Sequence, residues 1–126
     1  MVQVLAVGLG GFVGALLRYW LSGVTQRWAG DSFPLGTLSV NVLGCMVLGA
    51  LMCLMEYRQW FGTNVRVFLT IGILGSLTTF STFGYETFAL VRGGELWAAL
   101  GNVAANVGFG FAAVTFGWFA AKTIAG

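Results

Sequence analysis

The chain has 126 residues, of which 58% are hydrophobic and only ten are formally charged, six Lys or Arg and four Asp or Glu. A water-soluble domain of this size carries about a quarter of its residues as charges, so composition argues against a soluble fold, and scattered cations with a net charge of +2 lack the basic footprint of a nucleic-acid binder. A membrane-crossing helix needs roughly 20 predominantly apolar residues, and the chain has the length for four such spans with short connections, leaving no room for a water-soluble catalytic domain.

The first span is expected at about residues 2–24, followed by a polar connection containing Gln26, Arg27, Asp31 and Pro34. Tyr19, Trp20 and Trp28 suit the aromatic belt at a membrane interface. The run Met1 to Leu17 lacks the basic start of a signal peptide and is expected to be retained. The second span is expected at about 35–55 and ends in the charged and aromatic EYRQW at 56–60. Cys45 and Cys53 lie within it, eight apart, and the chain has no histidine, so zinc, haem and redox-pair readings lack their ligands. Both cysteines read as small packing residues.

The third hydrophobic region, about 64–92, is interrupted: VFLTIGIL is followed by GSLTTFST before apolar character resumes. Unwound backbone inside hydrocarbon is tolerated only where protein or a water-filled cavity satisfies its peptide groups. A helix break is therefore expected at about 75–79, with residues 75 to 82 facing the interior of an assembly. The fourth span is expected at about 96–121, with Lys122 beyond it.

Four spans place both termini on one side, together with Arg58, Arg66 and Lys122; the other side holds Arg27 and Arg92, plus Arg18 if the end of the first span is counted. The positive-inside bias is nearly absent. Either other features fix one orientation, or the chain inserts both ways and pairs with inverted copies of itself. Gly10-x-x-x-Gly14 allows close helix approach, between subunits or within one.

Polar residues inside the bilayer are the first functional suspects, because each is costly in lipid without a partner or water. Here they are Arg18; Thr37, Ser39 and Asn41; Ser76, Thr78, Thr79, Ser81, Thr82, Glu86 and Thr87; and Asn102 and Asn106. No acidic pair, nucleophilic triad, phosphate loop or metal cluster can be assembled from them. Hydroxyls, amides and phenyl rings remain, which are the tools of permeation. In a helix resuming after the break, Phe80 and Phe83 share a face with Glu86 one turn further on, while Asn102, Asn106 and Phe109 repeat an amide-plus-ring pattern on the last span. Ordinary packing is the alternative for aromatics at this spacing. A phenyl ring has an electropositive edge, so rings seen edge-on, with amide N–H groups and hydroxyls, can hold an anion without the tight grip of a fixed cation.

Three segments, GGFVGALLRY at 10–19, GTLSVNVLG at 36–44 and GSLTTFSTF at 75–83, together resemble the Fluc (CrcB) family of bacterial fluoride channels, over the whole chain in length, span number and motif order. The resemblance implies an all-α integral membrane fold of four transmembrane helices, the third broken near its middle, in a dual-topology antiparallel homodimer with two narrow fluoride pathways. It implies a structural central Na+ on the main-chain carbonyls of Gly75 and Thr78. Phe80 and Phe83 would supply ring edges, Asn41 an amide donor, and Ser81 and Thr82 hydroxyls along a polar track. Arg18 would sit at an aqueous vestibule, with snorkelling as its alternative, and Glu86 at the pathway's end. Asn102 and Asn106 are placed on the pathway only by their facing. The break often reads GG in the family, whereas Ser76 stands here at the second position.

The expected function is passive export of cytoplasmic fluoride across a bacterial inner (plasma) membrane, as a channel with no enzymatic activity. Its partners would be fluoride, an inverted second copy and the lipid bilayer, with no nucleic acid. A four-span proton-coupled multidrug exporter is the alternative; it needs a titratable carboxylate in the bilayer, and the first span has none. A purely structural subunit of a membrane complex is the third class.

Overall fold

A computed structural model describes all of residues 1–126 and contains helices only. Helix α1 spans Val2–Ala29, α2 Leu35–Tyr57 and α6 Leu96–Ala125. Between α2 and α6 the third span is assembled from α3 (Thr63–Val67), a π-helical stretch (Phe68–Leu74), α4 (Gly75–Leu77) and α5 (Phe80–Arg92). Four helical units are long and apolar enough to cross a membrane: Val2–Ala29, Leu35–Tyr57, Thr63–Arg92 and Leu96–Ala125. All-helical membrane architecture with a bent third span is thus as expected from the sequence.

The break is shorter than expected. Gly75–Leu77 remain helical, and only Thr78 (φ −83°, ψ 157°) and Thr79 (φ −149°, ψ 122°) are extended. The irregularity also begins earlier, because the π-helical stretch occupies Phe68–Leu74, where FLTIGIL reads as ordinary helix. Within it, Thr70 Oγ1 donates back to the Arg66 carbonyl at 2.8 Å. The consequence is topological: the first half of the third span packs against α1, whereas α5 packs against α6. A straight helix would stay with one neighbour.

Small residues set these distances. Gly10 and Gly72 face each other so closely that a Cβ on Gly10 would lie 2.9 Å from the Gly72 Cα, and one on Gly72 would lie 2.8 Å from the Gly10 Cα. The Gly10-x-x-x-Gly14 pattern therefore serves contact within the subunit, with Gly14 against the Ile73 backbone. Between α2 and α6 the same device is reciprocal: a Cβ on Gly49 would collide with the Val114 carbonyl, and one on Gly117 with the Met46 carbonyl. Without water between helices, association in a bilayer rests on such close van der Waals fit.

Polar groups secure the first turn. Gln26 donates from Nε2 to the Gly30 and Phe33 carbonyls at 2.6 and 2.9 Å, and its Oε1 accepts from the Gly36 N–H at 2.9 Å. Helix α2 has Pro34 at its N-cap and no side-chain cap of its own, so Gln26 satisfies one of the donors its N-terminus leaves open. A hydroxyl pair, Thr25 and Ser39 at 2.9 Å, joins α1 to α2.

Gly49→Val should lower stability by about 1–3 kcal/mol or prevent folding, because the obstructing atom is backbone. Gly23→Ala, with nothing within 4 Å of its Cβ, should leave stability unchanged or raise it by up to about 1 kcal/mol. Thermal unfolding of the two purified variants in detergent, set beside the parent, checks both.

Candidate functional site

Thr79 is the point from which the site is built. In an unbroken helix its N–H would bond the Gly75 carbonyl four residues back. Here it donates to Asn41 Oδ1 at 2.8 Å, and Asn41 Nδ2 donates in return to the Thr79 carbonyl at 3.2 Å. The side-chain amide of α2 thus stands in for a peptide partner at the break. Downstream, the Thr82 N–H, which helical geometry would aim at the Thr78 carbonyl, donates to Thr79 Oγ1 at 3.2 Å. Thr79 is the N-cap of α5, a role that threonine fills well. Both substitutions release a carbonyl from its helical donor: Gly75 at one step, Thr78 at the other. Gly44, where a Cβ would collide with the Thr78 side chain, seats the break against α2.

The Asn41 amide continues into a chain of bonds. Its second N–H donates to Asn106 Oδ1 at 2.9 Å; Asn106 Nδ2 donates to Asn102 at both Oδ1 (2.9 Å) and the main-chain carbonyl (3.0 Å). Asn102 Nδ2 then donates to Thr87 Oγ1 at 2.9 Å, and Thr87 Oγ1 to the Phe83 carbonyl at 2.8 Å. Asn102 is fully buried. Both N–H groups of Asn41 are therefore engaged, rather than free as the expected role of an amide donor would have them.

Asn41, Asn106, Phe80, Phe83, Gly75 and Thr78 line one groove of about 370 Å³. The Phe80 and Phe83 rings lie 5.6 Å apart, tilted by 58°; Phe83 is half-buried and Phe80 is 82% exposed. No charged side chain lines this groove. Ser76, the departure from GG, directs its Oγ toward α1, where a Cβ on Gly11 would meet it at 3.3 Å.

A second groove, of about 280 Å³, holds Arg18 and Thr82 with Thr37 and Thr79. Thr79 lines both grooves and is the wall between them. Thr82 Oγ1 accepts from Thr79 Oγ1 at 3.0 Å. Ser81 is exposed, 3.5 Å from that same hydroxyl, and lines neither groove.

Two expected placements are corrected. Glu86 does not continue the face of Phe80 and Phe83: it turns to α2, where Oε1 accepts from Thr37 Oγ1 at 2.7 Å, and it lines a separate cavity with Asp31 and Glu95. Steps of three residues fall about 60° short of a full turn each, so the third member of such a series leaves the face of the first. Phe109 likewise does not follow Asn106 into the groove. It faces an apolar cavity with Val24, Trp28 and Phe116. Sequence reasoning also gave no specific role to Thr37, Thr79 or Thr87, and the pathway part that facing suggested for Asn102 is not what the structure shows, since Asn102 is fully buried and lines neither groove. For Thr79 a local signal existed, since threonine just before a helix start is a favoured N-cap residue.

Comparison with known proteins bears on the whole chain. Residues 5–118 match the family described as CrcB-like protein, Camphor Resistance (CrcB). The chain is 46% identical over 125 residues to Fluoride-specific ion channel FluC 1 of Methanosarcina acetivorans, covering 99% of this chain and 95% of that protein. It is 44% identical over 117 residues to Fluoride-specific ion channel FluC of Dehalococcoides mccartyi (93% and 90% covered) and 40% identical to that of Clostridium perfringens (93% and 91%).

Asn41→Asp would keep the acceptor for the Thr79 N–H but set a carboxylate oxygen against the Thr79 carbonyl and Asn106 Oδ1. The expected result is destabilisation of about 1–3 kcal/mol with faster amide exchange at Thr78 and Thr79. Hydrogen-exchange mass spectrometry of the variant and its parent, in the peptide spanning the break, is the check.

Proposed function

This chain belongs to the CrcB-like family, and on that premise we propose that it is a fluoride channel whose ion passes through the groove of Phe80, Phe83, Asn41 and Asn106. One observation carries the reading: two phenyl rings and two amides share a groove that no charged side chain lines. Fluoride is small and strongly hydrated, so its passage requires replacing water with donors that still let go. Ring edges meet that need, joined by amide hydrogens of Asn41 that exchange their present partners, Thr79 and Asn106, for the ion, whereas a fixed cation in the groove would trap the ion. Arg18, half-buried beside Thr82 and Thr79, raises local anion concentration at the mouth, and Thr82 and the exposed Ser81 offer hydroxyls along the approach. Glu86 stands apart, on α5 and facing a cavity that it shares with the α1–α2 and α5–α6 connections, where it bounds the pathway's end. Transport needs no covalent chemistry. The exporter alternative has no support from the relatives, and the chain's intramembrane carboxylate is already bonded to Thr37.

The functional unit in this reading is a homodimer of inverted copies with two pathways. Phe80 and Gly75 are exposed in the single chain, and carbonyls freed from helical bonding cannot face hydrocarbon, so a partner must cover this side. The near-balance of cations between the two ends, Arg58, Arg66 and Lys122 against Arg18, Arg27 and Arg92, favours insertion both ways. The carbonyls of Gly75 and Thr78 fit a hard monovalent cation, because such ions take oxygen ligands and these two have lost their helical donors. Na+ bound there would supply positive charge at the centre of the dimer. The site of action is the inner (plasma) membrane, where fluoride that crosses as HF dissociates inside and leaves through the channel.

Phe80→Ile and Phe83→Ile are each expected to slow fluoride efflux from proteoliposomes at least about tenfold, a barrier increase of about 1.4 kcal/mol, while the protein elutes at the parental size. Parental efflux rates would remove the rings from the mechanism. Replacing Na+ throughout purification by a large organic cation should shift the protein towards monomer on size-exclusion chromatography; an unchanged elution volume would count against the carbonyl site.

A further inference from the structure

The hydrogen-bond chain from Asn41 to Thr87 has a direction, which two backbone groups favour and the Asn102 side chain reinforces. Side-chain amides can be turned end for end, exchanging donor for acceptor, but two backbone groups restrict that freedom here. The Thr79 N–H can only donate, so the atom of Asn41 facing it is Oδ1, and its Nδ2 must point onward. The Asn102 carbonyl can only accept, so Asn106 places Nδ2 against it and turns Oδ1 toward Asn41. Asn102 strengthens this orientation with its own side chain, accepting a second bond from Asn106 Nδ2 at 2.9 Å while donating to Thr87 Oγ1 at 2.9 Å. Its amide is completely buried between α6 and α5 and lines neither groove.

We propose that Asn102 is a positioning residue that weakens fluoride binding on purpose of release: it locks Asn106 with oxygen, not N–H, toward the groove. This rests on the fluoride-channel reading above. The locked oxygen does two things. It occupies one Asn41 N–H, and it presents a partial negative charge to the groove in place of a donor. An Asn106 turned the other way would add its own N–H groups and leave the Asn41 N–H free, so the ion would meet more donors and be held longer. Conduction requires binding weak enough for release, and the network supplies that restraint without a charge. Thr87 anchors the far end, since its hydroxyl donates onward to the Phe83 carbonyl and so faces Asn102 as an acceptor.

The test separates binding from throughput. In Asn102→Leu the side-chain acceptor of Asn106 Nδ2 is lost, so the orientation is held only by the main-chain carbonyl and by Asn41, and Asn106 turns more readily when fluoride arrives. Planar-bilayer recordings of purified dimers across a series of fluoride concentrations should show the half-saturating concentration falling about fivefold, the factor expected for one neutral hydrogen bond, with maximal current falling as well. A merely structural role would lower current without tightening binding; half-saturation that is unchanged or raised overturns the proposal. Thr87→Val, nearly isosteric, carries the same test if Asn102→Leu does not fold: a smaller shift in the same direction supports the assignment, and parental behaviour overturns it. A parental protein that passes no fluoride would instead overturn the channel reading beneath.

Discussion

The paired bonds between the Asn41 side chain and the Thr79 main chain hold the third span open, and the remaining geometry follows from them. By taking the Thr79 N–H, Asn41 ends α4, releases the Gly75 carbonyl and leaves Thr79 extended to cap α5. Capping in turn draws the Thr82 N–H away from the Thr78 carbonyl. The span then changes neighbours, from α1 to α6, which brings Phe80 and Phe83 beside Asn106. An interruption of two residues inside hydrocarbon would otherwise cost several kcal/mol for each unsatisfied group. A single amide supplies both a donor and an acceptor at that point.

Glycine makes the approach possible. α2 and α6 meet backbone to backbone at Gly49 and Gly117, and α1 meets the π-helical stretch at Gly10, Gly14 and Gly72. These contacts fix α6, and with it Asn102 and Asn106, at the depth where Asn41 reaches across. The polar network is closed at both ends by backbone groups, which is how buried amides are tolerated in an apolar surround. Acidic charge is kept away from the groove of rings and amides: three of the four acids, Asp31, Glu86 and Glu95, border one separate cavity.

Much of this was legible in the sequence because a bilayer imposes strict demands on composition. The four spans, the interruption after VFLTIGIL and the set of intramembrane polar residues all follow from hydropathy and from the rarity of polar groups in lipid. What was illegible depended on distance along the chain. The limits of the break are decided by Asn41, 38 residues from Thr79, and nothing local in GSLTTF announces which residues stay helical. Helical spacing also misplaced Glu86 and Phe109, since periodicity names a face but not the neighbour that competes for the side chain. Thr37 captured Glu86, and the cavity beside Trp28 took Phe109. The engagement of both Asn41 N–H groups could not be anticipated, because it needs the Asn106 oxygen turned inward by Asn102.

The central claim is that a bare fluoride ion crosses on ring edges, aided by amide hydrogens that exchange their present partners for the ion, in a passage that no fixed cation lines. The most direct measurement is ion release from liposomes containing the purified protein, loaded with fluoride in one series and chloride in another, and followed with ion-selective electrodes against protein-free vesicles. The account predicts rapid loss of fluoride with chloride retained at the protein-free rate. Fluoride held as firmly as in protein-free vesicles, or chloride escaping alongside it at the same speed, would contradict it.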